Sequence, residues 1–161
     1  MQRICVFGAK NAPFINTLDA RQKLHLSGNN FGNYLIGYAI DRQIKNCDFY
    51  DFYDSSIAME EINEKYDKVV MPLSNFINHA YNLQSWADFL DKLKIPIVFI
   101  GIGAQTLDEA SDIKLQPGTL RYIKVISERC RTIGARGEFT ASTLNKLGIY
   151  NVDVIGCHEF R

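Results

Sequence analysis

The sequence predicts an α/β fold: a Rossmann-like, mostly parallel sheet with helices on both faces. Short apolar runs alternate with longer amphipathic stretches, as β-α-β units require. One run, Ile95 to Ile100, is almost continuously apolar, which suits a strand covered on both faces near the middle of a sheet. The composition, 47% apolar and 22% charged, is that of a chain able to build a core. A folded chain of 161 residues buries roughly 70% of its unfolded surface. That length fits one domain spanning 1–161, or one half of a two-domain enzyme.

Taken in order, Arg3 to Phe7 reads as a first strand ending at Gly8. Residues 10 to 28 carry Pro13 and few apolar repeats, and read as a long loop. Leu35, Ile36, Tyr38, Ala39, Ile40 and Ile44 give helical periodicity from Tyr34 to Ile44. Asp48 to Phe52 is a short strand, and Ala58 to Glu64 a short charged helix. Lys68 to Met71 is a third strand, stopped by Pro72. Leu83, Trp86, Ala87, Leu90 and Leu93 place a helix over His79 to Leu93, before the strand Ile95 to Ile100. Gly118 to Arg129 follows Pro117 as a helix, Thr132 to Ala135 is a strand, Glu138 to Leu147 a helix, and Val152 to Ile155 a last strand. Ligands of open α/β sheets bind outside the carboxyl ends of the strands. The loops to watch are therefore 8–33, 53–57, 72–78, 101–117, 136–138 and 156 onward.

Eighteen basic and eighteen acidic residues cancel. Without a positive field the chain is not expected to bind nucleic acid or an anionic membrane. The longest strongly apolar run, Ile95 to Ala104, has ten residues and contains Pro96 and two glycines, whereas a bilayer-spanning helix needs about 20. The N-terminus has no apolar stretch of signal-peptide length, so a cytoplasmic location is expected. Cys5, Cys47, Cys130 and Cys157 are far apart, with no C-x-x-C pair, and Cys5, Cys130 and Cys157 lie in or beside apolar segments, which predicts buried reduced thiols and no metal site. His25, His79 and His158 are scattered and suggest no catalytic pair.

Three segments could carry chemistry. Ser27-Gly28-Asn29-Asn30-Phe31-Gly32-Asn33 precedes a helix: asparagine caps a helix start, glycine admits a ligand to the backbone, and free N–H groups there attract anions. A plain capped turn explains it equally well, and no Lys-Ser or Lys-Thr follows to make a P-loop. Gly101-Ile102-Gly103-Ala104-Gln105 leaves the most apolar strand and resembles the opening of a dinucleotide fingerprint without its third glycine. It reads as a cleft-lining loop or a tight strand exit, and a nucleotide-dependent oxidoreductase rests on this feature alone. Arg131-Thr132-Ile133-Gly134-Ala135-Arg136-Gly137-Glu138-Phe139-Thr140 delivers Arg136 to the carboxyl edge beside a helix start. An arginine so placed can fork a carboxylate or phosphate; the alternative is a surface pair with Glu138.

Taken together, Asn29 to Asn33, Gly101 to Gln105, Ile126-Ser127-Glu128-Arg129-Cys130, Gly134 to Thr140, Leu144-Asn145-Lys146-Leu147-Gly148-Ile149 and Val154-Ile155-Gly156-Cys157 resemble the polysaccharide pyruvyl transferases in order and spacing, from about residue 3 to Cys157. The resemblance implies the N-terminal half of a glycosyltransferase-B-like enzyme, two Rossmann-type halves with a cleft between. It implies transfer of the enolpyruvyl unit of phosphoenolpyruvate to a pair of sugar hydroxyls in exopolysaccharide or cell-surface polysaccharide synthesis. Phosphoenolpyruvate is then the donor substrate, and no separate cofactor is expected. Arg136 matches the family's arginine in the strand-to-helix segment and takes a donor-binding role by that match. Asn29, Asn30, Gly32, Asn33, Gly103, Ala104 and Gln105 would line the same cleft.

Family members continue past the position of Gly156-Cys157, commonly with Pro-Ser and a second α/β domain, whereas this chain reads His158-Glu159-Phe160-Arg161. The resemblance places the catalytic histidine and further basic residues in that second domain, and His158 does not match the histidine's position. The expectation is a domain incomplete on its own, with no catalytic residue assigned. Self-association or a separate C-terminal domain would complete it. A non-catalytic binding or assembly module that retains the fold is the alternative.

Overall fold

A computed structural model describes residues 2–8, 17–27, 29–50, 58–106 and 113–157. The strands are β1 (Ile4–Phe7), β2 (Cys47–Tyr50), β3 (Lys68–Pro72), β4 (Ile97–Ile100), β5 (Ile133–Ala135) and β6 (Val152–Val154). The helices are α1 (Ala20–Leu26), α2 (Gly32–Gln43), α3 (Met59–Lys65), α4 (Gln84–Lys92), α5 (Pro117–Arg129) and α6 (Glu138–Lys146). Every pairing between these strands is parallel, in the order β2-β1-β3-β4 with β5-β6 as a second ladder. Parallel neighbours need crossover connections, and the helices supply them.

The two ladders are stitched together beyond β4. Gly101 takes φ +73°, a left-handed conformation that ends the strand and re-aims the chain. Ile102 then bridges to Ala135: its N–H donates to Gly134 O at 3.0 Å, and Arg136 N–H donates to Ile102 O at 2.9 Å. The run Ile95 to Ile100 thus sits between β3 and β5, as its apolar character predicts. The strand itself begins at Ile97, because Pro96 offers only its carbonyl, to Val69 N–H.

Alternation along the strands sorts the core into two faces. Cys5 and Phe7, Val69 and Met71, Ile97 and Phe99 point to one side, where they meet Ile62 of α3, Ala87 and Leu90 of α4, and Tyr122, Ile123 and Ile126 of α5. Val6 and Val70 point to the other, against Ile40 of α2, with Val98 and Ile100 partly buried beside them. Helices cover both faces, as the sequence predicts.

Two expectations need correction. Within the stretch 10–28 expected to be a loop, Ala20–Leu26 is a helix. Asp19 caps it in a reciprocal capping box with Gln22, and none of its residues is buried, so it shows no apolar periodicity. The helix expected over His79 to Leu93 covers only Gln84–Lys92. Ahead of it, local side-chain bonds hold the backbone in turns: Ala80 N–H donates to Asn78 Oδ1, and Gln84 N–H to Asn82 Oδ1. The expected strand 48–52 is described as Cys47–Tyr50; its last two residues, like the loop 53–57, lie outside the described residues.

Candidate functional site at the carboxyl edge of the sheet

A parallel sheet sends the carboxyl ends of all its strands to one edge. There the chain leaves β3 through Leu73 to Asn78 and β4 through Gly101 to Thr106, and the two segments zip together. Leu73 N–H donates to Ile100 O at 2.8 Å, Gly103 N–H to Ser74 O at 2.9 Å, Ile77 N–H to Gly103 O at 3.1 Å and Gln105 N–H to Ile77 O at 2.9 Å. Ile77 and Ile102, both fully buried, anchor the pair in the core. Loops tied this way behave as strand extensions, and a rigid rim follows.

β5 brings Arg136 to the same rim. Its Nε donates to Gly101 O at 2.9 Å, Nη1 to Asn75 Oδ1 at 3.3 Å and Nη2 to Leu73 O at 3.4 Å. All three acceptors are neutral. The surface pair with Glu138 does not form, and among the described residues no carboxylate pairs with Arg136. The guanidinium keeps its full charge, half-buried, where water screens it less than at the open surface.

Gly103 makes this packing possible. A Cβ there would stand 2.5 Å from Asn75 Oδ1 and 3.4 Å from Arg136 Cδ. Ala104 N–H donates to Thr140 Oγ1 at 2.9 Å, which docks the start of α6 onto the β4 loop. The helix opens at Gly137 with no side-chain cap; its first-turn N–H groups carry the positive end of the helix dipole, and the Glu138 carboxylate stands in that same turn.

These segments enclose an open hollow of about 320 Å³. Gly103, Ala104, Gln105 and Thr106 form one wall, Asn75 another, and Arg136 with Gly137, Phe139 and Thr140 the third. Arg136 is the charged residue among them. The arrangement suits an anion at the guanidinium and helix start, with amide groups and the face of Phe139 alongside.

Of the residues singled out in the sequence, Gly103, Ala104, Gln105 and Arg136 come together here. Asn29, Asn30, Gly32 and Asn33 are not among the residues lining this hollow. They form the turn from α1 into α2, and their polar groups serve it. Asn29 takes φ +61° and donates its N–H to Leu24 O; Asn30 Oδ1 accepts from Gly32 N–H at 3.0 Å; Asn33 Nδ2 donates to Ser27 O at 2.7 Å. Gly28 and His158 lie outside the described residues. Asn75 belongs to none of the three segments, and Phe139 lies in the third without a role of its own there. Asn75 lies in a loop marked by the strand-end rule, but nothing local distinguishes it from Asn78 three residues on.

The two buried cysteines are poorly suited to act as nucleophiles. Burial pushes the Cys5 thiol up to about 12 and the Cys130 thiol up to about 11, which disfavours the thiolate that would react. Cys47 and Cys157 are half-buried, and no disulfide joins any of the four. Among the described residues no three of His, Cys, Asp and Glu gather as a metal site. Nor is any described helix long and apolar enough to cross a membrane.

Comparison with known proteins agrees with the strand-end motifs. The family model for polysaccharide pyruvyl transferase matches residues 30–159. Neither the curated proteins nor the solved structures give a match. With most of its length inside that match, from the start of α2 to past β6, the chain belongs to the polysaccharide pyruvyl transferase family.

Proposed function

We propose that the hollow around Arg136 binds phosphoenolpyruvate, as the donor half of a pyruvyl-transfer site that makes a cyclic ketal on a saccharide. The observation that carries this reading is the guanidinium held by neutral acceptors, its charge unspent, beside the uncapped start of α6. A carboxylate or phosphate oxygen pair is the partner such a fork and helix start favour. Phe139 and the amides of Asn75 and Gln105 offer the mixed apolar and hydrogen-bonding surface a sugar ring uses.

The reaction needs a proton on the enol methylene, attack by one sugar hydroxyl on the carbon that becomes electron-poor, departure of phosphate, and closure by a second hydroxyl. Both hydroxyl protons are released or handed on, and phosphate is the second product. Arg136 would hold the donor and stabilise charge on the leaving phosphate. The described residues lining the hollow include no carboxylate, histidine or thiol, so none of them supplies the acid that protonates the methylene. On this reading the described residues bind and orient the donor, and a second domain completes the chemistry. That domain, in the same chain, in another copy or in a separate protein, is part of the proposal, as are the polysaccharide setting and the saccharide acceptor.

Titration calorimetry with phosphoenolpyruvate tests it. The chain should bind the donor, and Arg136→Gln should weaken binding at least about tenfold, the loss of a charge-assisted pair of hydrogen bonds. Equal binding by the two proteins would remove Arg136, and with it this site, from the reaction.

A further inference from the structure

We infer that Asn75 is a positioning residue: it sets the orientation of the Arg136 guanidinium without consuming its charge. This rests on reading the hollow as an anion site. Of the three acceptors on Arg136, Gly101 O and Leu73 O are backbone carbonyls, and Asn75 Oδ1 is the only side-chain atom. The firm bond is at Nε, 2.9 Å from Gly101 O; it fixes the root of the guanidinium. The terminal nitrogens are held at 3.3 and 3.4 Å, so the plane depends on both contacts acting together.

Asn75 can serve because its own amide has one permitted orientation. Nδ2 donates to Gln105 Oε1 at 3.1 Å while Oδ1 accepts from Arg136. A flipped amide would turn its NH2 toward the guanidinium and its oxygen toward another oxygen, leaving both sides unmatched. The backbone beneath is held as well: the largely buried Asn78 donates from Nδ2 to Asn75 O at 2.7 Å. Gly103 leaves the gap into which Oδ1 reaches. A guanidinium has five N–H donors, so three bonds leave one donor on each terminal nitrogen, the pair needed to fork an anion. An aspartate at 75 would keep an acceptor for Arg136 but lose the donor to Gln105 Oε1 and neutralise the charge. An asparagine orients and leaves the charge for a ligand.

The test uses the full chain with labelled arginine side chains. The Nε and Nη signals of Arg136 are identified by their loss in Arg136→Lys, and phosphoenolpyruvate and inorganic phosphate serve as probes. In Asn75→Ala, rotation of the Arg136 Nη groups should quicken several-fold and donor affinity fall about tenfold. In Asn75→Asp, slow rotation should return while affinity stays low, a split that a merely structural role would not produce. Should Asn75→Ala fail to fold, Gln105→Ala removes the partner that orients the Asn75 amide and should loosen the same signals. Wild-type rotation and affinity in Asn75→Ala would overturn the proposal. If the unaltered chain binds neither probe, the anion reading of the hollow fails; the Arg136 signals then still decide positioning, quickened rotation in Asn75→Ala supporting it and unchanged rotation overturning it.

Discussion

Arginines in two regions of the molecule show how surroundings decide what a guanidinium does. Along the seam between α4 and α5, Arg121 reaches both Asp88 and Asp91, and Arg129 donates to Leu90 O and Ile95 O. The seam is dense: Thr119 is fully buried, takes the Leu83 N–H and gives its hydroxyl to Tyr81 O. Gly118 lies so close to α4 that a Cβ would meet Gln84 N at 2.7 Å. At the carboxyl rim, the acceptors that Arg136 meets among the described residues are all uncharged, beside an open hollow. The seam pairs its arginines with acceptors of α4 and of the turn that follows it. The rim fixes the geometry of its charge and leaves the charge itself unmatched.

The sharpest way to break this contrast is through the seam's packing. Leu90→Ala deletes a fully buried side chain and should cost about 3 kcal/mol in urea unfolding. A loss below about 1 kcal/mol would mean that the seam is not core. Next comes Gly118→Ala, which should destabilise by about 2 kcal/mol, although alanine is the better helix former, because the new methyl meets α4 backbone. At the rim the effects should separate: Arg136→Gln should change stability by about 1 kcal/mol or less while donor binding collapses. A large stability loss there would make Arg136 a structural staple rather than a ligand-binding group.

Tyr122→Phe sharpens the energetics of the buried face. The Tyr122 hydroxyl is fully buried and finds no hydrogen-bond partner among the described residues. Its removal should leave stability unchanged or raise it by up to about 1 kcal/mol, and a clear loss would reveal a partner. The smallest effect belongs to Arg121→Ala, since exposed ion pairs are weak and screened by salt. Its signature is in acid. The hydrogen bond from Arg121 holds the Asp88 carboxyl below the usual carboxylate range, against the opposing pull of desolvation. A lowered folded-state value stabilises above the unfolded value and is lost as pH falls through the folded one. The acid-induced loss of stability below about pH 4 should therefore be shallower in Arg121→Ala. Identical acid profiles would show that the pair contributes nothing.

Much of this was legible in the order of residues. Strand positions, the central place of Ile95 to Ile100 and helices on both faces follow from periodicity, which is local and needs no knowledge of what lies opposite. The strand-end rule located Gly103, Ala104, Gln105 and Arg136, because parallel strands must present their carboxyl ends together. What stayed hidden lacked a local signal. Ala20–Leu26 buries nothing, so it shows no apolar stripe, and only its Asp19–Gln22 capping box marked it.

Tertiary structure alone decided which polar groups meet. Asn75 lies 61 residues before Arg136, and their contact depends on the β3 and β5 exits, Gly101's turn and the missing Cβ of Gly103 acting together. The asparagines from Asn29 to Asn33 match Asn75 in type, yet their polar groups close a local turn. A side chain's chemistry is written in its residue type. Its partner is set by the register and spacing of strands far apart in the chain, which no local pattern encodes.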